Sequence, residues 1–115
     1  MKAEGLMIGD WVMNTHNQKP EQVCEILERM VMLDYNDLYE YDEIEPISLT
    51  SEILEKNGFV VESRDCHGKP LQYCELVDGL WIDISGENFF EGKLEYVHQL
   101  QHALRLCGIE KEIEL

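Results

Sequence analysis

Leu6, Ile8 and Val12 fall at even spacing in the run Leu6-Met7-Ile8-Gly9-Asp10-Trp11-Val12-Met13, and this alternation predicts a first strand over 6–13. Asn14-Thr15-His16-Asn17 supplies the turn that follows. Gln22 to Leu27 and Arg29 to Leu33 are short β-prone runs, and Asp34-Tyr35-Asn36-Asp37 is a second turn leading into Leu38 to Ile44. Four short strands joined by tight turns predict a meander or a small, partly closed barrel. Within Tyr39 to Ile47 the parity is inconsistent, because Tyr39 and Tyr41 share a face that acidic Glu43 and Glu45 would continue. A bulge or a strand end near Asp42 resolves it.

Pro46 stops strand pairing, and Thr50 is placed to N-cap a two-turn linking helix over about 51–57, with Glu52 in its first turn, Ile53 and Leu54 inward and Gly58 at its end. Phe59 to Ser63 and Leu71 to Val77 then form a hairpin around Asp65-Cys66-His67-Gly68-Lys69-Pro70. After a turn at Asp78-Gly79, Leu80, Ile82 and Ile84 alternate with Trp81 and Asp83 as a strand that Ser85-Gly86-Glu87-Asn88 ends. The stretch from Phe89 to Glu95 favours no element. Val97, Leu100, Leu104 and Cys107 recur at helical spacing, predicting a helix from about Tyr96 to Cys107 with Gly108 as its stop. His98, His102 and Arg105 fall on the opposite face, read as solvated with His98 packing or capping a neighbouring carbonyl, and Ile109, Ile113 and Leu115 alternate with charges as a further edge strand would.

The fold class is therefore α+β, a single compact domain over 1–115 with a strand-rich N-terminal half, a short linking helix, a second antiparallel strand set and a packed C-terminal helix. Its expected core is Leu6, Ile8, Val12, Val23, Ile26, Val31, Leu33, Ile53, Leu54, Phe59, Val61, Leu80, Ile82, Val97, Leu100 and Leu104, edged by Trp11 and Trp81.

Charge changes the picture most. Twenty-four acids against nine bases give a formal net charge of −15. Such a surface repels phosphates and anionic lipids, and the bases are too dispersed to form a local patch, so direct binding to nucleic acid or membrane is not expected. No stretch approaches the roughly 20 apolar residues of a membrane span, nor does the start resemble a signal peptide, so the expected compartment is the cytoplasm. Cys24, Cys66, Cys74 and Cys107 include no CxxC pair and suit reduced, mostly buried thiols.

Three segments, taken together, resemble a family of short uncharacterised proteins carried by prophages and mobile elements of gut anaerobes. They are Leu6-x-Ile8-Gly9-Asp10-x-Val12, then Ile44-Glu45-Pro46-Ile47-x-Leu49-Thr50-x-Glu52-x-Leu54 with Gly58-Phe59, and Val97-His98-Gln99-Leu100-Gln101. The resemblance spans nearly the whole chain and weakens after Gln101. It implies a single fold and a mobile-element origin, and it brings no catalytic residues with it.

Three constellations carry possible chemistry. His98 and His102 stand at i and i+4 in His98-Gln99-Leu100-Gln101-His102, as zinc ligands do in HExxH enzymes. Gln99 occupies the place of the glutamate that acts there as general base, so proteolytic chemistry is not expected, and a binding-only metal site would need a third ligand. Cys66, His67 and Cys74 lack paired zinc-ribbon spacing, and adjacent strand residues point to opposite faces, which argues against a Cys66–His67 nucleophile. No phosphate loop, GxSxG or dinucleotide fingerprint is present.

The third constellation is the run Asp34, Asp37, Glu40, Asp42, Glu43 and Glu45, six carboxylates with no base among them, interleaved with Tyr35, Tyr39 and Tyr41. It lacks an EF-hand pattern. Acids rimming tyrosines suit a surface for a basic protein partner, since aromatic residues anchor interfaces while charge steers. Same-face strand carboxylates ~6.6 Å apart would also permit mimicry of a phosphate ladder. The plainer alternative is a solubilising surface that discourages edge pairing. The expected function is that of a noncatalytic accessory protein of a mobile element, with no cofactor. The alternative is a metal-dependent or hydrolytic enzyme using His98 and His102. Pairing of the C-terminal edge strand across a two-fold axis would allow a homo-oligomer.

Overall fold

The structure is a computed structural model that describes residues 1, 5–35, 37–66, 69–77, 80–83 and 94–115, with the backbone alone described within 62–83. It is α+β. The elements run β1 (Trp11–Asn14), β2 (Lys19–Ile26), β3 (Met30–Leu33), β4 (Asp37–Glu40), a 3₁₀ turn (Tyr41–Glu43), β5 (Ile44–Pro46), α1 (Ser51–Lys56), β6 (Val60–Cys66), β7 (Lys69–Val77), β8 (Leu80–Asp83) and α2 (Val97–Leu106). The chain divides into two compact units, one of Met1–Ile47 with Tyr96–His98, the other of Ser48–Glu95 with Gln99–Leu115.

The first unit is an open, antiparallel five-stranded sheet in the order β4-β3-β2-β1-β5. β1 to β4 form the expected meander, and β5 returns to pair with β1. One face carries the core cluster of Leu6, Val12, Val23, Val31, Leu33 and Ile44, with Met1, Ile26, Tyr39 and Tyr41 packed on it. The α-ammonium of Met1 donates to the carbonyls of Tyr41 (2.8 Å) and Ile44 (3.3 Å).

One expectation for this unit is corrected, and one open alternative is decided. The first strand begins at Trp11, not Leu6, because Gly9 and Asp10 turn the chain. Gly9 has φ +95°, and the fully buried carboxylate of Asp10 accepts from the amide of Met7 at 2.8 Å, a side-chain bond that competes with strand pairing. Ile8 therefore leaves the core and stands 62% exposed. The parity break near Asp42 resolves as a strand end, since β4 stops at Glu40 and the 3₁₀ turn takes Tyr41 to Glu43. That turn restarts the phase so that Ile44 is fully buried although acids flank it.

In the second unit Thr50 caps α1 as its sequence predicts, its side chain accepting from the amide of Ile53 at 3.2 Å. Asn57 ends the helix, and Gly58 follows at φ +81°. The strands β6-β7-β8 form an antiparallel sheet, with the β6–β7 pairing running from Val60↔Glu75 to Cys66↔Lys69. Buried here are Leu54, Phe59, Leu100, Leu104 and Ile113. The expected core side chains of Leu80 and Ile82, and the expected edge position of Trp81, lie outside what is described. So do the turns at His67-Gly68 and Asp78-Gly79 and the stretch 84–93.

The tail is not an edge strand. Asn57 holds it: its amide nitrogen donates to the carbonyls of Ile53 and Glu114, both at 2.8 Å, and its oxygen accepts from the amide of Glu114 at 2.7 Å. With Ile113 buried and the Lys111 ammonium 5.0 Å from the Phe59 ring centre, side-chain docking replaces strand pairing. The tail thus does not form the strand whose pairing across a two-fold axis would allow a homo-oligomer.

Candidate functional site

The acidic run spans the turn after β3, all of β4, the 3₁₀ turn and the start of β5. Asp34 and Tyr35 form the turn and both have left-handed backbones, φ +50° and +56°. The turn is held by β2: Asp34 N donates to the Gln22 carbonyl (2.9 Å), the Asp34 carboxylate accepts from the Gln22 amide (2.8 Å), and Tyr35 N donates to the Cys24 sulfur (3.2 Å). Cys24 is the extra residue of a bulge in β2, since Val23 pairs with Leu33 and Glu25 with Met32. The bulge turns its thiol toward the Met32 carbonyl at 3.2 Å.

The three tyrosines take different roles. Tyr35 is 86% exposed. Tyr39 pairs with Val31 across β3 and β4, and its half-buried ring leans on the core cluster. Tyr41 is also half-buried against that cluster, and its hydroxyl donates to the Leu27 carbonyl. Of the three, Tyr35 is thus the exposed one.

Asp34, Asp37, Glu40, Asp42 and Glu45 are exposed, and Glu43 is half-exposed. Asp37 and Glu40 have opposite parity on β4, and Asp42 and Glu43 lie beyond the strand, so the even spacing of same-face carboxylates along one strand is not realised. The acids gather instead at the strand end, where carboxylate oxygens of Glu40, Asp42 and Glu43 all lie within 4.8 Å of one another. Glu43 is tied down: its carboxylate meets His16 Nε2 at 2.7 Å, and its carbonyl accepts from the amide and hydroxyl of Thr15 (3.1 and 2.8 Å). Among the described residues this is the close contact between a carboxylate of the run and a basic side chain. The His16 ring also lies 5.8 Å from that of Tyr39. Sequence reasoning missed His16 because the pair joins residues 27 positions apart and no local pattern marks it.

Three clustered carboxylates supply hard oxygen donors of the kind calcium or magnesium takes, and only about half of the six to eight that calcium requires. His98 and His102 join no group of three such ligands among the described residues. His98 packs, as expected: it is 9% exposed and stacks on Tyr96 with ring centres 5.8 Å apart and planes 10° from parallel. The amide of Val97, just before His98, donates to the Ile47 carbonyl at 2.9 Å. His102 is half-buried, Arg105 exposed. The side chains of Cys66, His67 and Cys74 lie outside the described residues.

No family model, no curated protein and no solved structure matches the chain. Among the described residues no helix is long and apolar enough to cross a membrane.

Proposed function

We propose that the protein is a noncatalytic accessory protein of a phage or mobile element, acting in the cytoplasm, whose acidic surface from Asp34 to Glu45 binds a basic protein partner. The observation that carries this reading is the crowding of Glu40, Asp42 and Glu43 within 4.8 Å at an exposed strand end, where His16 is the one basic side chain in close contact with a carboxylate of the run among the described residues. Carboxylates gathered at one place offer a basic surface a local concentration of negative charge that dispersed acids would not. Tyr35 adds an exposed aromatic ring at the other end of the run. The mobile-element assignment rests on the three sequence segments set out above. The net charge of −15 disfavours nucleic acid and anionic membranes as direct partners.

Affinity capture at low salt from the lysate of the producing cell tests the reading. The wild-type chain retains a basic protein, and the triple variant Glu40→Lys, Asp42→Lys, Glu43→Lys does not. Equal retention by both sinks the proposal. Elemental analysis of the same preparation addresses the enzyme alternative, for which stoichiometric transition metal, lost on His102→Ala, is the required finding.

A further inference from the structure

The five-stranded sheet carries an open groove of about 420 Å³ beside the turn after β3. Its floor is the bulged part of β2, where Gln22 and Cys24 point away from the core that Val23 enters. One wall is Ile8, 62% exposed, and the other is the turn of Asp34 and Tyr35, with the Tyr35 ring 86% exposed.

The polar groups of the floor and walls are largely engaged with one another. Gln22 Nε2 donates to the Gly9 carbonyl (3.1 Å), the Gln22 amide and carbonyl are both bonded to Asp34, and the Cys24 sulfur lies between the Met32 carbonyl and the Tyr35 amide. What the groove offers an occupant is an aliphatic wall, an aromatic face and the Asp34 carboxylate at the rim. None of its lining side chains is cationic. A side chain with an apolar stem and a planar cationic tip matches all three: the stem lies along Ile8, the tip stacks on Tyr35 and forks onto Asp34.

We infer that this groove seats an arginine of an extended, basic segment of the protein partner, with Tyr35 as its anchor. The inference rests on the acidic-surface reading and adds to it the contact point and the side chain recognised. The left-handed backbone of Tyr35 bears on it as well. A β-carbon is disfavoured there, and glycine would suit the turn better, so the ring is placed at an energetic cost to the fold.

The test titrates the full chain, labelled with ¹⁵N, with the peptide acetyl-Val-Arg-Val-Arg-Val-amide and with its counterpart carrying glutamine for arginine. Amide shifts are expected to centre on Ile8, Gly9, Gln22, Cys24 and Tyr35, with the arginine peptide the tighter. Tyr35→Gly, which the turn accommodates, is expected to weaken it by roughly three- to thirtyfold, the range a desolvated cation–aromatic contact supports. Ile8→Ser should weaken it too. Shifts centred on Glu40, Asp42 and Glu43 instead, or equal binding by Tyr35→Gly, overturn the inference. Failure of the broader reading looks different: there the triple charge reversal leaves partner capture unchanged, whereas loss of capture on reversal with full capture by Tyr35→Gly overturns the groove alone.

Discussion

At the scale of single residues, Tyr35 and Asn57 show opposite relations between a side chain and stability. Tyr35 occupies φ +56°, a conformation that costs an L-residue about 1–2 kcal/mol, whereas glycine is free of that cost but gives up about 0.5–1 kcal/mol of unfolded-chain entropy. Tyr35→Gly is therefore expected to stabilise the fold, by up to about 1 kcal/mol in urea unfolding, while it weakens the arginine peptide. A variant that loses both stability and binding would show instead that the ring serves the fold. Asn57 is 8% exposed and makes three hydrogen bonds, two of them to the backbone of Glu114. Its replacement by alanine strands the Glu114 amide and carbonyl, so a loss of about 1–3 kcal/mol is expected, with faster hydrogen exchange at Glu114 and Leu115. Unchanged exchange there would mean that Ile113 alone anchors the tail.

At the scale of elements, α1 is six residues long, too short to persist without help, and the Thr50 cap is part of that help. Thr50→Ala should cost about 1 kcal/mol, and Thr50→Asp should recover most of it, as read by thermal unfolding. An equal loss in both variants would assign the effect to packing rather than to the cap. Thr50 and Gly58 were legible because caps are local, written within a few residues of the helix end. The meander was legible for the same reason, since Asn14 and Asn17 mark its first turn and Asp34 and Asn36 its third. What the pattern hid is nonlocal or out of phase. Ile8 sits at an even spacing that the Gly9–Asp10 turn breaks, and Ile44 is masked by Glu43 and Glu45 until the 3₁₀ turn resets the strand. The tail alternates like a strand, yet Asn57, some 57 residues away in sequence, captures its backbone first. In the acidic run, composition revealed the carboxylates, whereas the inward lean of Tyr39 and Tyr41 and the pairing of His16 with Glu43 depend on which strands meet.

At the scale of the whole molecule, a net charge of −15 acts on any encounter before contact is made. A patch of exposed carboxylates speeds capture of a basic partner at low ionic strength, and its influence fades once screening falls to about 8 Å at physiological salt. The groove at Tyr35 is mostly short-range contact, so it should set how long a partner stays. On the proposed reading the two ends of the run should separate by their salt dependence, the Glu40–Glu43 end affecting association and the Tyr35 end dissociation. The measurement that bears most directly on the account is the dissociation constant of the captured basic partner, for the wild-type chain and for the Glu40→Lys, Asp42→Lys, Glu43→Lys variant, across a salt series. The account predicts wild-type affinity that falls steeply with salt and a variant that binds weakly with a much shallower dependence. Parallel curves of equal affinity would contradict it.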